Sequence, residues 1–240
     1  MKNTRHKYLL ISALSFLFVQ AALAQPAYKK IAYNAYVSGD MRVWANIIYT
    51  IELKNSRLTP DQELDLLDYY YGYTQHLLST KQYEQAQTYI TRADRLIAHV
   101  LSKLPGNATA YSYKGAFAGF KITINKLKSI SLSSESNASI DKALEIDSVN
   151  IQATIDKGNL LFHTPAIFGG NKQQALELFL KAKKLLETTN KTQQNWLYLN
   201  VLKLAARSCE KLNQPQQAKE LYDCLAHTEP RLRPKQYTTN

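Results

Sequence analysis

The stretch LNVLKLAARSCEKLNQPQQAKELYDCLAHTEPRL, Leu199–Leu232, decides the fold. Small or apolar residues fall at Leu202, Ala205, Ala206, Cys209, Ala218, Tyr222 and Leu225, and Pro230 stops the unit. These are positions 4, 7, 8, 11, 20, 24 and 27 of a unit of about 34 residues, the spacing of two amphipathic helices packed as a hairpin. Small side chains at positions 8 and 20 let the two helices approach closely. A large residue at position 24 fills the gap to the next pair. A single hairpin exposes an apolar face and cannot fold alone, so such units stack in rows.

Working outward, the same unit recurs towards the N-terminus. Gln25–Leu58 carries Tyr28, Ile31, Ala32 and Ala35 on one helix, a Gly39-Asp40 turn, and Trp44, Ile48 and Ile51 on the next. Trp44 stands where a small residue is usual. A second unit begins near Leu67, with Tyr70, Tyr73, Thr74 and Leu77 and then Ala86, Ile90 and Ala93. Thr59-Pro60-Asp61-Gln62 reads as a capping box with proline at the first helical position, and Pro105-Gly106 ends the helix that runs to Leu104. The tyrosine run Tyr69-Tyr70-Tyr71, with Tyr73, spans most of a helix circumference; packing is its default role, with Tyr70 and Tyr73 inward and an outward place open to Tyr69 and Tyr71.

Two units are less regular. The third has a helix over Ala108–Lys126, with Tyr111 and Gly115 in register, and a partner marked by Ile140, Ala143 and Leu144. Its surplus falls at Ser129–Ser136, a serine-rich stretch that reads as a turn or mobile loop. The fourth, Ile151–Lys191, has Thr154, Gly158 and Leu161, then Ala175, Phe179 and Ala182 after an enlarged loop, His163–Asn171. In that loop Asn171 is placed to cap the following helix, and Phe168 to plug the adjacent core.

The pattern predicts an all-α chain of about five antiparallel helix pairs over 25–232, with a polar tail at 233–240. The quoted residues resemble the tetratricopeptide repeat family over nearly all of 25–232, and that resemblance implies a right-handed superhelix. The loop Thr164-Pro165-Ala166-Ile167-Phe168-Gly169-Gly170-Asn171, with Ala175, Phe179 and Ala182 after it, is similar to one in the T-component of tripartite ATP-independent periplasmic transporters. That resemblance implies a periplasmic repeat protein associated with a solute-binding protein.

The N-terminus reads as an export signal. Lys2, Arg5 and Lys7 precede a mostly apolar run from Tyr8 to Val19, and Ala22-Leu23-Ala24 supplies a small-x-small cleavage site, so 1–24 is expected to be removed. No other stretch is apolar enough to anchor the chain stably in a membrane, and a periplasmic or secreted location follows. The chain carries 30 basic and 19 acidic residues; cleavage takes away three basic ones and leaves a net +8. The basic residues are scattered at helix-surface spacing, as in Lys181, Lys183 and Lys184, without the dense block that nucleic acid would require.

Chemistry-bearing constellations are missing. The five histidines are dispersed, and no HExxH, GxSxG or phosphate-cradling glycine loop occurs. A non-catalytic protein without cofactor or metal is expected. Cys209 and Cys224 lie on consecutive helices, which permits either a disulfide or two small buried thiols.

The function then falls to the concave side, lined by positions 2, 5, 9 and 12 of each first helix. These select Tyr33 and Tyr36, Tyr71 and Gln75, Ser112 and Ala116, Asn159 and Phe162 with His163 beside them, and Lys203 and Arg207. Phe168 joins them from the enlarged loop. An aromatic and amide lining with a basic end suits a protein or peptide partner, or a small ligand. The expected role is a scaffold for protein–protein interaction, with a ligand-binding accessory subunit of a transporter as the alternative. Terminal pairs present an apolar edge that permits self-association.

Overall fold

The computed structural model describes residues 27–53 and 58–232. The proposed leader at 1–24 and the tail at 233–240 lie outside the described residues. Ten α-helices follow one another, with no strand among the described residues: α1 (27–38), α2 (Met41–Glu52), α3 (Pro60–Ser79), α4 (Tyr83–Lys103), α5 (Ala108–Ile124), α6 (Ser129–Ile146), α7 (Ile151–His163), α8 (Lys172–Thr188), α9 (Trp196–Lys211) and α10 (Pro215–Thr228). No helix among these is long and apolar enough to cross a membrane. From α2 onward each helix packs on the next, and α3, α5 and α7 lie side by side.

The helix starts follow local chemistry. Thr59 caps α3 through a capping box with Gln62, and Pro60 takes the first turn, where its missing N–H costs nothing. Asparagine side chains cap α5, α7, α8 and α9: Asn107, Asn150, Asn171 and Asn195 each accept a backbone N–H of the first turn.

The serine-rich stretch is a correction. Ser129–Ser136 is helix, the first half of α6, and the turn before it is only Asn125 and a 3-10 turn at Lys126–Lys128. Ser136 and Ser139 are buried, and a Cβ added at Gly115 of α5 would lie 2.7 Å from the Ser136 carbonyl oxygen. At Ser136 the close approach of α5 and α6 favours a small side chain, while Ser131, Ser133 and Ser134 face solvent. Ile31, placed inward by register, is substantially exposed.

Trp44 fits because glycine faces it. A Cβ at Gly72 of α3 would stand 2.6 Å from the Trp44 ring and 3.2 Å from Trp196. Gly158 of α7 makes the same allowance for Phe179, at 2.6 Å. The bulk has moved across the helix interface, with the summed volume kept. Both cysteines are free thiols, Cys209 buried and Cys224 half-buried beside the Tyr198 hydroxyl.

Candidate functional site on the concave side

The two ends of the stack meet. Tyr33 of α1 donates to Glu229, just past α10, at 2.9 Å, and Arg231 holds the same carboxylate through two nitrogens. Lys203 of α9 donates to the Tyr36 hydroxyl at 3.1 Å and lies 4.4 Å from that ring's centre. Trp196, the first residue of α9, packs edge-on against Trp44 at 5.2 Å and donates its indole N–H to Asp68 of α3 at 3.0 Å. Side chains from α1, α2, α3 and α9 thus fill the hollow that an open row of helix pairs would leave empty.

Several expected lining residues are used up by this closure. Tyr71 is 1% exposed, which corrects its expected place in the concave lining, and Tyr33 and Phe162 are buried as well. Tyr69 is also buried, edge-on to Trp44, with its carbonyl accepting the Trp44 N–H. The reason is that long aromatic side chains from separate helices reach across to one another and leave the solvent.

A buried polar network holds the centre. Asp156 accepts from Tyr71 at 2.9 Å, Ser112 at 2.6 Å and Gln152 at 3.0 Å, while Asn159 donates to the Tyr71 hydroxyl at 3.2 Å. Asp68 accepts from Trp196 and, at 3.3 Å, from Tyr113. Burial pushes each of these carboxyls up to about 6, against hydrogen bonds that favour the anion. Burial, helped by those carboxylates, raises the Tyr71 and Tyr113 phenols well above their ordinary value. With their lone pairs taken by neighbouring donors, the two acids tie helices together.

What remains open on the inner side is cationic. Phe162 and His163 contact edge to face at 5.1 Å, and Lys172 places its ammonium 5.0 Å from the Phe162 ring while donating to that residue's carbonyl. His163 is held below its ordinary pKa by crowding, and then by the positive charges of Arg207 and Lys172. Arg207 is exposed, one turn along α9 from Lys203, whose own pKa burial lowers. Gln75 and Asn159 are half-buried. Phe168 is 74% exposed at the tip of its loop, which corrects its expected core-plugging role.

Sequence reading missed Trp196, Asp68, Tyr113, Gln152 and Asp156. Asp68 and Gln152 stand at position 2 of their units, a position that faces the hollow, so the register itself could have found them. Trp196 precedes the fifth unit and lay outside any register. No group of histidine, cysteine or acidic residues among the described ones could hold a metal ion.

These features define an all-α protein, closed on itself by contacts between its first and last helices. No family model and no curated protein matches the chain. Among solved structures it is similar to the HusA haemophore from Porphyromonas gingivalis, at 16% identity and a TM-score of 0.54, over 85% of this chain and 94% of that one. At that identity the likeness is one of fold.

Proposed function

We propose that this chain is an exported, non-catalytic binding protein of tetratricopeptide-like, right-handed superhelical build, with five helix pairs. Its inner side takes a flat, apolar ligand bearing carboxylates. The observation that carries this reading is the set Lys172, Lys203 and Arg207, cations gathered near His163 and beside the rings of Phe162 and Tyr36. The exposed His163 ring offers contact area to an apolar plane, and the cations beside it favour an anionic edge. A carboxylate-bearing tetrapyrrole has this chemistry, and the fold is shared with a haemophore. Titration of the mature chain with haemin, followed in the Soret band and by tryptophan quenching, tests it. An unchanged haemin spectrum at saturating protein rejects the tetrapyrrole.

A second reading keeps the inner side for a protein or peptide, as an adaptor or as an accessory of a periplasmic solute-binding protein. The Pro165–Asn171 loop favours it, since its apolar tip is presented to solvent. A pull-down from native periplasm with mass spectrometry separates the two readings. Recovery of one stoichiometric protein partner, lost on Arg207→Glu, favours the adaptor.

A further inference from the structure

The four most exposed large apolar side chains among the described residues are Leu127 (97%), Ile130 (88%), Ile167 (84%) and Phe168 (74%). Leu127 lies in the turn between α5 and α6 and Ile130 at the start of α6, while Ile167 and Phe168 lie in the turn between α7 and α8. Asn150, the cap of α7, donates to Thr109 in the first turn of α5 at 3.1 Å, so the two helices start side by side. They also pack along their length. With 17 and 13 residues they extend about 25 and 20 Å, so their C-terminal turns leave the fold at the same edge.

This exposure is built into the backbone. In the second turn, Phe168 and Gly170 donate to the Pro165 carbonyl at 2.9 and 3.1 Å, Gly169 to Ala166 at 3.0 Å, and Asn171 to Leu161 at 3.0 Å. Gly169 has φ +89°, and a Cβ at Gly170 would fall 1.8 Å from the Thr164 carbonyl oxygen. The loop is held in one shape, with Ile167 and Phe168 at its tip. Charge around both turns has one sign. Segments 119–134 and 160–176 contain Lys126, Lys128 and Lys172, with Lys121 paired to Asp94 of α4 at 2.8 Å, and no aspartate or glutamate of their own. At the opposite edge, the last turn of α6 carries Glu145, paired with Lys142, and the turn after it carries Asp147.

We infer that this edge is a docking surface for a lipid bilayer bearing anionic headgroups. Leu127, Ile130, Ile167 and Phe168 enter the boundary between headgroups and acyl chains, and Lys126 and Lys128 meet the anionic charge. A membrane fits better than a small ligand, because the apolar tips project outwards and enclose no cavity. The inference does not depend on what the inner side binds.

Cosedimentation of the mature chain with vesicles tests it, using phosphatidylcholine alone or mixed with phosphatidylglycerol. Binding is expected to the mixed vesicles, falling as salt is added. Leu127→Ser with Ile167→Ser and Phe168→Ser should abolish it, and Lys126→Glu with Lys128→Glu should lower it more than tenfold. All five side chains are exposed, so circular dichroism and haemin titration should match the parent protein. Absence of binding to the mixed vesicles at low salt, equal binding to both kinds, or unchanged binding by either variant overturns the inference. A protein partner would then be sought for this edge.

Discussion

The Tyr33 hydroxyl donates to the Glu229 carboxylate at 2.9 Å, joining the first helix to the segment after the tenth. Almost the whole described chain lies between them. A row of helix pairs stabilised only by nearest neighbours has free ends, and a contact between the ends couples their opening. Arg231 adds two charge-assisted bonds to the same carboxylate.

That clasp should be sensitive to acid. Hydrogen bonds from Arg231, and then from Tyr33, hold the Glu229 carboxyl down at about 2, against an ordinary 4.5. A depressed carboxyl adds stability that is present above pH 4.5 and is lost as pH falls towards 2. Tyr33→Phe should cost about 1.5–3 kcal/mol at neutral pH, the range for a bond to a charged acceptor. Hydrogen exchange in α1 should quicken in the variant, and urea midpoints of variant and parent should converge in acid. Equal α1 protection in both proteins would remove the clasp.

Asp156 works in the opposite direction. Its carboxyl stands at about 6 in the fold against 3.8 when unfolded, so the native state holds the extra proton between those values. Stability from this group therefore falls as pH rises from about 4 to 6 and is level above. A shift of roughly two units corresponds to about 3 kcal/mol. Asp68 behaves alike. Asp156→Asn should remove about half of the decline contributed by this pair, read as urea midpoints across pH 4 to 7. An identical pH slope in the variant would contradict the burial argument.

Gly115→Ala probes the contact between α5 and Ser136 of the serine-rich stretch. The new methyl would stand 2.6 Å from Ile140 and 2.7 Å from the Ser136 carbonyl. A backbone oxygen cannot swing aside, so overpacking of about 1–3 kcal/mol is expected. The melting temperature should drop by about 2–4 °C per kcal/mol for a chain of this size. Gly39→Ala is the control: φ there is +75°, with nothing within 4 Å, so only backbone strain is added.

The thiols should differ in reactivity. Cys224 is half-buried, whereas Cys209 is fully buried, which pushes its thiol pKa up. An aromatic disulfide reagent should titrate one thiol in the native chain and two after denaturation. Two fast thiols without denaturant would show that α9 opens readily.

On the inner side, Arg207→Glu should weaken haemin capture at least tenfold with little change in helicity, because the side chain is exposed and opposes an anionic ligand once reversed. Titration at two ionic strengths checks this; a charge effect shrinks in salt. Equal affinity of variant and parent would move the ligand away from the cations.

Much of the helix layout was legible because it is local. Thr59 and Asn171 announce helix starts through their own side chains, and alanine and glycine spacing marks where helices touch. Ser129–Ser136 was misread for the same reason. Serine favours turns locally, and the value of Ser136 as a small residue against Gly115 exists only once α5 lies across it.

The amino-acid order by itself determined that this chain is helical, where most of its helices start, and which face of each turns inward. These depend on periods and caps within a few residues. Only the tertiary structure decided that the row closes on itself. Trp44 and Trp196 meet across the hollow, Tyr71 reaches Asp156, and side chains that register alone assigned to an open trough became core. Those contacts join residues far apart in the chain, and no single stretch of sequence encodes them.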